Sequence, residues 1–211
     1  AIVACLVGSE MCIRASHSTA NLVLEMSSGC VCCRIRGVLV KTLRDITWRY
    51  ARNGQRWFQR VLIETTGLAD PAPIIHTLMT HPHIAPKYRL DGIVATVDMV
   101  AGLNKLDQHQ EAVKQAAVAD ALLLTKADLV TQEQRATLLQ RLDTINPAAP
   151  RWEVHKGEIE ARKVLSLGLF ATENKLPDVA RWLSEEAYAD KASDGHSHAH
   201  DGHSHHKHDS H

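Results

Sequence analysis

The chain has 211 residues with 24 Lys+Arg and 24 Asp+Glu, so its formal net charge is zero. Balanced charge and an aromatic content of only 4% argue against a basic nucleic-acid platform lined with stacking rings. Hydrophobic residues make up 45%, enough for the core of one α/β domain, yet no apolar run approaches the roughly 18 residues that span a bilayer. We therefore expect a cytoplasmic protein with no nucleic-acid partner and no membrane association.

Residues 1–18 show no periodic pattern, and the chain begins with Ala rather than Met. We expect this segment to be foreign to the domain or disordered, with an ordinary N-terminal strand as the alternative. Regular patterning starts near Asn21 with a short apolar run at 22–24. We assign residues 19–188 to the folded domain.

Between these limits, apolar patterns alternate between the strand type and the helix type. Spacings of three or four residues predict an amphipathic helix over 35–52, and continuous apolar runs predict buried strands. Thr131 and Gln134 have the spacing of a capping box, and the helix that they open should stop at Asn146-Pro147. The predicted strands cover 61–63, 92–97, 121–124 and 152–154, and further helical segments cover 74–79 and 106–119, followed by a short apolar element at 164–170. This alternation predicts an α/β fold with a mostly parallel sheet covered by helices on both faces.

The last segment, 189–211, consists almost entirely of His, Asp, Ser, Gly and Lys, and it holds eight of the fourteen histidines. Such a composition cannot bury enough apolar surface to fold, so we expect a disordered tail or linker. Alternating imidazoles, such as those of His196, His198 and His200, are candidate ligands for Zn²⁺, Ni²⁺ or Co²⁺. An inert solvated linker is the alternative.

Three of the five cysteines, Cys30, Cys32 and Cys33, follow Gly29 within one short turn. Five is too few, and an odd number, for a disulfide scaffold in a chain of this length. Thiolates crowded into one turn are soft ligands that select Zn²⁺ or Cu(I). Buried small hydrophobic side chains or a redox pair are the alternatives.

Polar clusters follow three of the predicted strands, where ligands bind in open α/β sheets. In the first, Glu64 would orient Mg²⁺ or its water, and the N–H of Gly67 would approach a γ-phosphate. In the second, after Thr125, Asp128 would accept the paired N–H groups of guanine while the stem of Lys126 lies over the base. A plain turn and a solvated helix start are the respective alternatives, and the third, Asp98, has no assigned role.

In chain order, the segments SSGCVCCRIRGVL, VLIETTGLADPAPII, YRLDGIVATVDMV and ADALLLTKADLV resemble those of CobW-type GTPases, which are relatives of the HypB and UreG proteins. The resemblance covers about residues 21–170. It implies a P-loop GTPase-like fold and a metallochaperone that binds GTP with Mg²⁺, carries Zn²⁺ or Co²⁺, and serves a client metalloprotein. It assigns the three cysteines to the metal, Glu64 to the Mg²⁺ and γ-phosphate switch, and Lys126 with Asp128 to guanine.

The sequence departs from the family in having no phosphate loop of the form G-x-x-x-x-G-K-[ST], whose backbone N–H groups and Lys hold the triphosphate. Thr125 also stands where guanine-selective proteins usually carry Asn, and the role of Glu25 is open. We expect residues 19–188 to be a partial GTPase domain, without its first βα unit, in an internal fragment that is itself inactive. Two functions follow: a GTP-hydrolysing metallochaperone, or a metal-binding and buffering module without turnover.

Overall fold

A computed structural model describes residues 2–8, 31–53, 55–56, 58–165, 167–168, 170–173 and 175–194. The first half contains β1 (Ile2–Gly8), α1 (Val31–Arg49), a small hairpin of β2 (Ala51–Arg52) and β3 (Gln55–Arg56), β4 (Arg60–Glu64), α2 (Pro71–Thr80) and β5 (Tyr88–Asp98). The second half contains α3 (Gly102–Gln108), α4 (Gln110–Val118), β6 (Ala121–Thr125), α5 (Gln132–Ile145), β7 (Arg151–Val154), α6 (Ala161–Leu165) and α7 (Pro177–Asp194).

Five of the strands form one sheet in the order β4-β1-β5-β6-β7. Strand β5 pairs in parallel with β6, and β6 pairs in parallel with β7. Strand β1 is antiparallel to both of its neighbours, so β4 points in the same direction as β5. The sheet is mostly parallel, as predicted, and the carboxyl ends of β4, β5, β6 and β7 lie along one edge, here called the carboxyl edge.

Both faces of the sheet are covered, which confirms the predicted layering. On one face, Ile93, Leu122 and Leu124 belong to the main core, against which α1 to α5 and α7 pack. On the other face, Val94 and Leu123 form a smaller core with Val164 of α6. Because neighbouring strand residues point to opposite faces, a continuous apolar run such as 121–124 supplies both cores.

Most predicted elements are present, with differences at their ends. The capping box forms as predicted, because Thr131 Oγ1 accepts from the Gln134 N–H and Gln134 Oε1 accepts from the Thr131 N–H. The helix predicted over 106–119 is instead two helices, since His109 is extended with φ −126° and ψ 114°. Strand β5 starts four residues before the predicted Gly92, where it alternates buried and exposed side chains alongside β1.

Two segments carry structure that the sequence patterns did not predict. Residues 1–18 were expected to be foreign or disordered, with an N-terminal strand as the alternative, and Ile2–Gly8 forms strand β1 inside the sheet, as in that alternative. Its unbroken apolar run lacks the alternation of a half-buried strand and is typical of a strand in a sheet that is covered on both faces. Helix α7 was also missed, and it runs past the expected start of the disordered tail at 189 to Asp194. Its apolar residue Val179 is fully buried, which explains why the segment folds.

The predicted short apolar element at 164–170 is helical only to Leu165, where α6 ends. The predicted apolar run at 22–24 and the tail from 195 onwards lie outside the described residues. Within the described ranges, no helix is long and apolar enough to cross a membrane.

Asn146, which ends α5, is the most extensively bonded polar side chain of the core and is only 2% exposed. Its Nδ2 lies 2.9, 3.1 and 2.8 Å from the carbonyl oxygens of Ala116, Ala117 and Ala119, at the end of α4. Its Oδ1 accepts from the Ala149 N–H at 3.2 Å. One side chain therefore satisfies carbonyls that the last turn of α4 leaves without helical partners.

We expect Asn146→Ala to lower the free energy of unfolding by about 2–4 kcal/mol, because it leaves buried carbonyls unpaired. Urea unfolding followed by circular dichroism measures the loss. Gln140→Ala on the exposed side of the same helix is the matched control, and it should change stability by less than about 0.5 kcal/mol. Equal losses in the two variants would contradict this account of Asn146.

Candidate functional site

The carboxyl edge brings together the polar clusters that the sequence placed after the strands. Glu64 ends β4, Asp98 ends β5 and Thr125 ends β6. In the sheet register, Asp98 pairs with Thr125 as direct neighbours on adjacent parallel strands. The three loops that follow these strands therefore start from the same edge of the sheet.

The loop between β4 and α2 is exposed at its start and anchored at its end. Glu64 and Gly67 are both exposed. Gln115 of α4, which is buried, donates from Nε2 to the carbonyl oxygens of Thr66 and Ala69 at 3.1 and 2.8 Å. The loop thus presents its acidic and glycine residues to solvent while α4 fixes its backbone. Sequence reasoning missed Gln115, whose only signal is a polar residue on the apolar side of a helix.

Asp70 closes this loop and begins α2. Its Oδ1 accepts from the Ala72 N–H at 3.0 Å, which is a helix N-cap. Its Oδ2 lies 2.5 Å from Nζ of Lys114 on α4. The orientation of α2 is therefore set by the same helix that holds the loop.

Lys126, which follows β6, contacts Asp98, which ends β5. Its Nζ donates to Asp98 Oδ2 at 2.5 Å, and Asp98 Oδ1 accepts from the N–H groups of Val100 and Ala101 at 2.9 and 3.2 Å. The Met99 N–H also donates to the Thr125 carbonyl at 3.0 Å. Asp98, which the sequence left without a role, is thus the partner of Lys126 and the organiser of its own loop.

The charge of Asp98 is stabilised by these contacts. Partial burial alone would raise its pKa, but the hydrogen bond from Lys126 and the backbone N–H groups of Ala101 and Val100 outweigh it, and the pKa of Asp98 lies below its ordinary value of 3.8. Asp98 is therefore ionised at neutral pH and keeps the Lys126 ammonium group at the carboxyl edge.

Asp128 extends from the same loop into solvent. Lys126 adopts left-handed backbone angles of φ 59° and ψ 34°, which turns the chain sharply after β6. Asp128 follows in a short 3-10 turn, with a side chain 60% exposed and Oδ1 3.9 Å from Nδ1 of His155. Thr125, Lys126 and Asp128 thus lie in one loop, and His155 is a neighbour of Asp128 that the sequence did not suggest.

The cysteine motif begins helix α1. Cys32 and Cys33 lie in its first turn, while Cys30, His196, His198 and His200 lie outside the described residues. Within the described part of the chain, no group of three or more His, Cys, Asp or Glu residues is arranged to hold a metal ion. The metal ligands named from the sequence therefore stay predictions.

The direction of α1 follows from its contacts with α2 and β5. Near its end, the Tyr88 hydroxyl at the start of β5 donates to the Leu43 carbonyl at 3.1 Å. Burial and then the Arg36 guanidinium lower the pKa of His76 on α2. Burial, His83 and the Arg44 guanidinium lower the pKa of His81, at the end of α2. Because Tyr88 lies at the start of β5, away from the carboxyl edge, its bond to Leu43 places the second half of α1 at that far edge and the first turn of α1 toward the carboxyl edge. Helix α2 starts after the carboxyl end of β4 and ends before Tyr88, so α1 and α2 run in the same direction.

A family model and two curated relatives each match most of the chain. The nucleotide-binding domain model of the CobW/HypB/UreG family matches residues 7–153. The zinc chaperone YjiA of Escherichia coli (strain K12) is 34% identical over 157 residues, which cover 74% of this chain and 48% of that protein. The zinc-regulated GTPase metalloprotein activator 1 of Schizosaccharomyces pombe is 31% identical over 153 residues, which cover 72% of this chain and 36% of that protein.

Among solved structures, the Zn(II)-bound YjiA GTPase from E. coli is 32% identical, with a TM-score of 0.43, covering 54% of this chain and 37% of that chain. The chain spans about half, or less, of the length of these two curated relatives.

We expect Asp98→Asn to lower the free energy of unfolding at neutral pH, because it removes the negative partner of Lys126. Solvent screening limits the loss to about 0.5–1 kcal/mol. Since the folded-state pKa of Asp98 is depressed, its contribution is complete above 3.8 and is lost as pH falls through the folded-state value. Urea unfolding at neutral and at acidic pH should therefore show a difference that shrinks in acid. The exposed Glu160→Gln serves as the control, and a pH-independent difference for Asp98→Asn would count against this role.

Proposed function

Because the chain belongs to the CobW/HypB/UreG family of GTPase-linked metallochaperones, we propose that it is the nucleotide- and metal-binding part of a cytoplasmic protein that binds GTP and Zn²⁺ and delivers the metal to a client metalloprotein. One observation carries this proposal: the loop after Glu64, the Lys126–Asp98 ion pair and the first turn of the cysteine-bearing helix α1 all lie toward one edge of the sheet. A nucleotide at that edge would lie between the loop after Glu64 and the proposed metal ligands.

In this proposal the loop after β6 binds guanine. The exposed carboxylate of Asp128 is available to accept two N–H donors of the base, which adenine does not offer. Lys126 is held by Asp98, so its position is fixed before a base arrives, and this limits the entropy lost on binding.

The loop after β4 would face the phosphates. Glu64 would hold Mg²⁺ or one of its waters, and Gly67 would offer its backbone N–H to the γ-phosphate. Both residues are exposed on a loop whose far end is fixed by Gln115. This combination suits a segment that must respond to a ligand while keeping its connection to the core.

Thiolates of Cys30, Cys32 and Cys33 would hold the metal as cargo, with imidazoles of the tail, His196, His198 and His200 among them, collecting it. Zn²⁺ accepts sulfur and nitrogen ligands in tetrahedral geometry, and Co²⁺ is the alternative ion. Three thiolates leave a fourth position open, which transfer to another protein requires. GTP hydrolysis would relax the loop after Glu64 and so weaken the hold on the metal.

A second candidate is a metal-buffering module without turnover. It is favoured by the lack of a G-x-x-x-x-G-K-[ST] motif within the 211 residues, since this motif supplies most of the contacts to the triphosphate. Metal binding by the cysteines and the histidines does not depend on that motif.

We expect Cys32→Ser to weaken Zn²⁺ binding by about tenfold or more, because serine is not deprotonated at neutral pH and is a poor zinc ligand. Competition titration with a chelating dye measures the affinity. The control is Cys12→Ser, which removes a cysteine outside the motif and should leave the affinity unchanged. Equal affinities for wild type and Cys32→Ser would refute the assignment of the motif to zinc.

Calorimetric titration of the 211-residue chain with GTP and Mg²⁺ separates the two candidates. Without a phosphate loop, we expect no GTP binding in the micromolar range, because the guanine contacts alone do not replace the contacts to the triphosphate. In a protein that carries the loop upstream of these residues, Asp128→Asn should reduce GTP affinity and spare Zn²⁺ affinity. Micromolar binding by the 211-residue chain would contradict the first expectation.

A further inference from the structure

Helix α1 presents a regular stripe of exposed residues on the side away from the core. Gly37, Lys41, Arg44 and Trp48 follow one another at intervals of four, three and four residues, which places them in line along one face of the helix. All four are exposed, and the Trp48 side chain is 76% exposed, the highest value among the large apolar residues of the described chain. We call these four residues the α1 stripe.

The α1 stripe borders a concave surface rather than a flat one. A cavity of about 550 Å³ is lined by the stripe together with Arg36, Val40, Asp45 and His81. His81, at the end of α2, is the one lining residue that lies outside α1. A side chain of another molecule could therefore lie in this concave surface, in contact with the Trp48 ring.

The charge of this surface is positive. Arg36 is already paired with Glu186 of α7. Lys41 and Arg44 form no ion pair within the described residues, and Asp45 is the only acidic residue in the lining. Burial, His83 and Arg44 lower the pKa of His81, which is therefore neutral at neutral pH. Two unpaired cations beside an exposed indole stand out in a chain whose net charge is zero.

We propose that the α1 stripe docks an acidic segment of the client protein. Carboxylates of that segment would pair with Lys41 and Arg44, and an apolar side chain between them would pack on Trp48. Tryptophan and arginine are the residue types that contribute most to binding at protein interfaces, and charge complementarity selects the partner. Two free cations and one aromatic ring are too few for a nucleic-acid site, which depends on many phosphate contacts and several stacking rings.

The α1 stripe lies next to the proposed metal site on the same helix. The stripe starts one turn after Cys33, on the same helix whose first turn carries Cys32 and Cys33. A client bound along the stripe would have its own metal ligands next to the donor thiolates, which favours direct ligand exchange over release of the ion to water. This inference rests on the proposed function, because it identifies the partner surface of that same metal site.

The test uses the full chain and a synthetic peptide of glutamates around one central leucine, titrated by calorimetry at low ionic strength. Lys41→Glu combined with Arg44→Glu should weaken peptide binding by about tenfold or more, and Trp48→Ala should have an effect of similar size. Added salt should weaken binding to wild type, because exposed charges are screened. Arg162→Glu combined with Lys163→Glu, exposed cations on α6, is the matched control and should bind the peptide as wild type does.

Unchanged peptide affinity in both stripe variants would overturn the proposal. Stronger binding of a single-stranded oligonucleotide than of the peptide would overturn it as well. Zn²⁺ titration of the same variants keeps the two ideas separate: the stripe variants should bind Zn²⁺ like wild type. Loss of zinc binding in Cys32→Ser with retained peptide binding supports both, whereas wild type that binds the peptide but not zinc refutes only the proposed function.

Discussion

The parallel pairing of β5 with β6 is the constraint on which the candidate site depends. It makes Asp98 and Thr125 register partners, so the residues that follow them leave the sheet side by side. Lys126 then needs only a sharp left-handed turn to bring its ammonium group to the Asp98 carboxylate. In an antiparallel pair, these two strand ends would lie at opposite edges of the sheet, and no ion pair between them could form.

A continuous path of packed elements links that edge to the cysteine-bearing helix. The loop after Glu64 ends at Asp70, which caps α2, and α2 packs alongside α1 in the same direction. Helix α7 also contacts α1, through the ion pair of Arg36 with Glu186. In the proposed function, a shift of this loop on nucleotide binding would move α2, which packs against α1. The reciprocal coupling of nucleotide and metal in that proposal would be an equilibrium relation and would need no direct contact between the two ligands.

The sequence predicts the parts of the fold whose signals are local. The capping box at Thr131 needs two residues three positions apart, and it is present as predicted. The break at His109 was not predicted because nothing in its sequence neighbours forbids a helix, although the residue is extended between α3 and α4. Strand β1 was missed although IVACLVG is a continuous apolar run, because residues 1–18 as a whole show no periodic pattern and were set aside as foreign to the domain. Whether a segment becomes a central strand depends on partners far away in the chain.

In the candidate site, too, local sequence signals predict some residues, and partners from distant segments are not predicted. Glu64, Thr125, Lys126 and Asp128 were named because polar residues directly after apolar strands mark the ligand-binding edge of an α/β sheet. The partners that position them, such as Gln115 of α4, come from distant segments, and which residue they reach depends on strand register and helix packing. The α1 stripe is a further example. Apolar periodicity shows that α1 has a buried side, but the high exposure of Trp48 follows only from which neighbours cover the helix and where they end. Physical reading of a sequence therefore finds the residues that could carry chemistry, and the three-dimensional arrangement decides which of them act together.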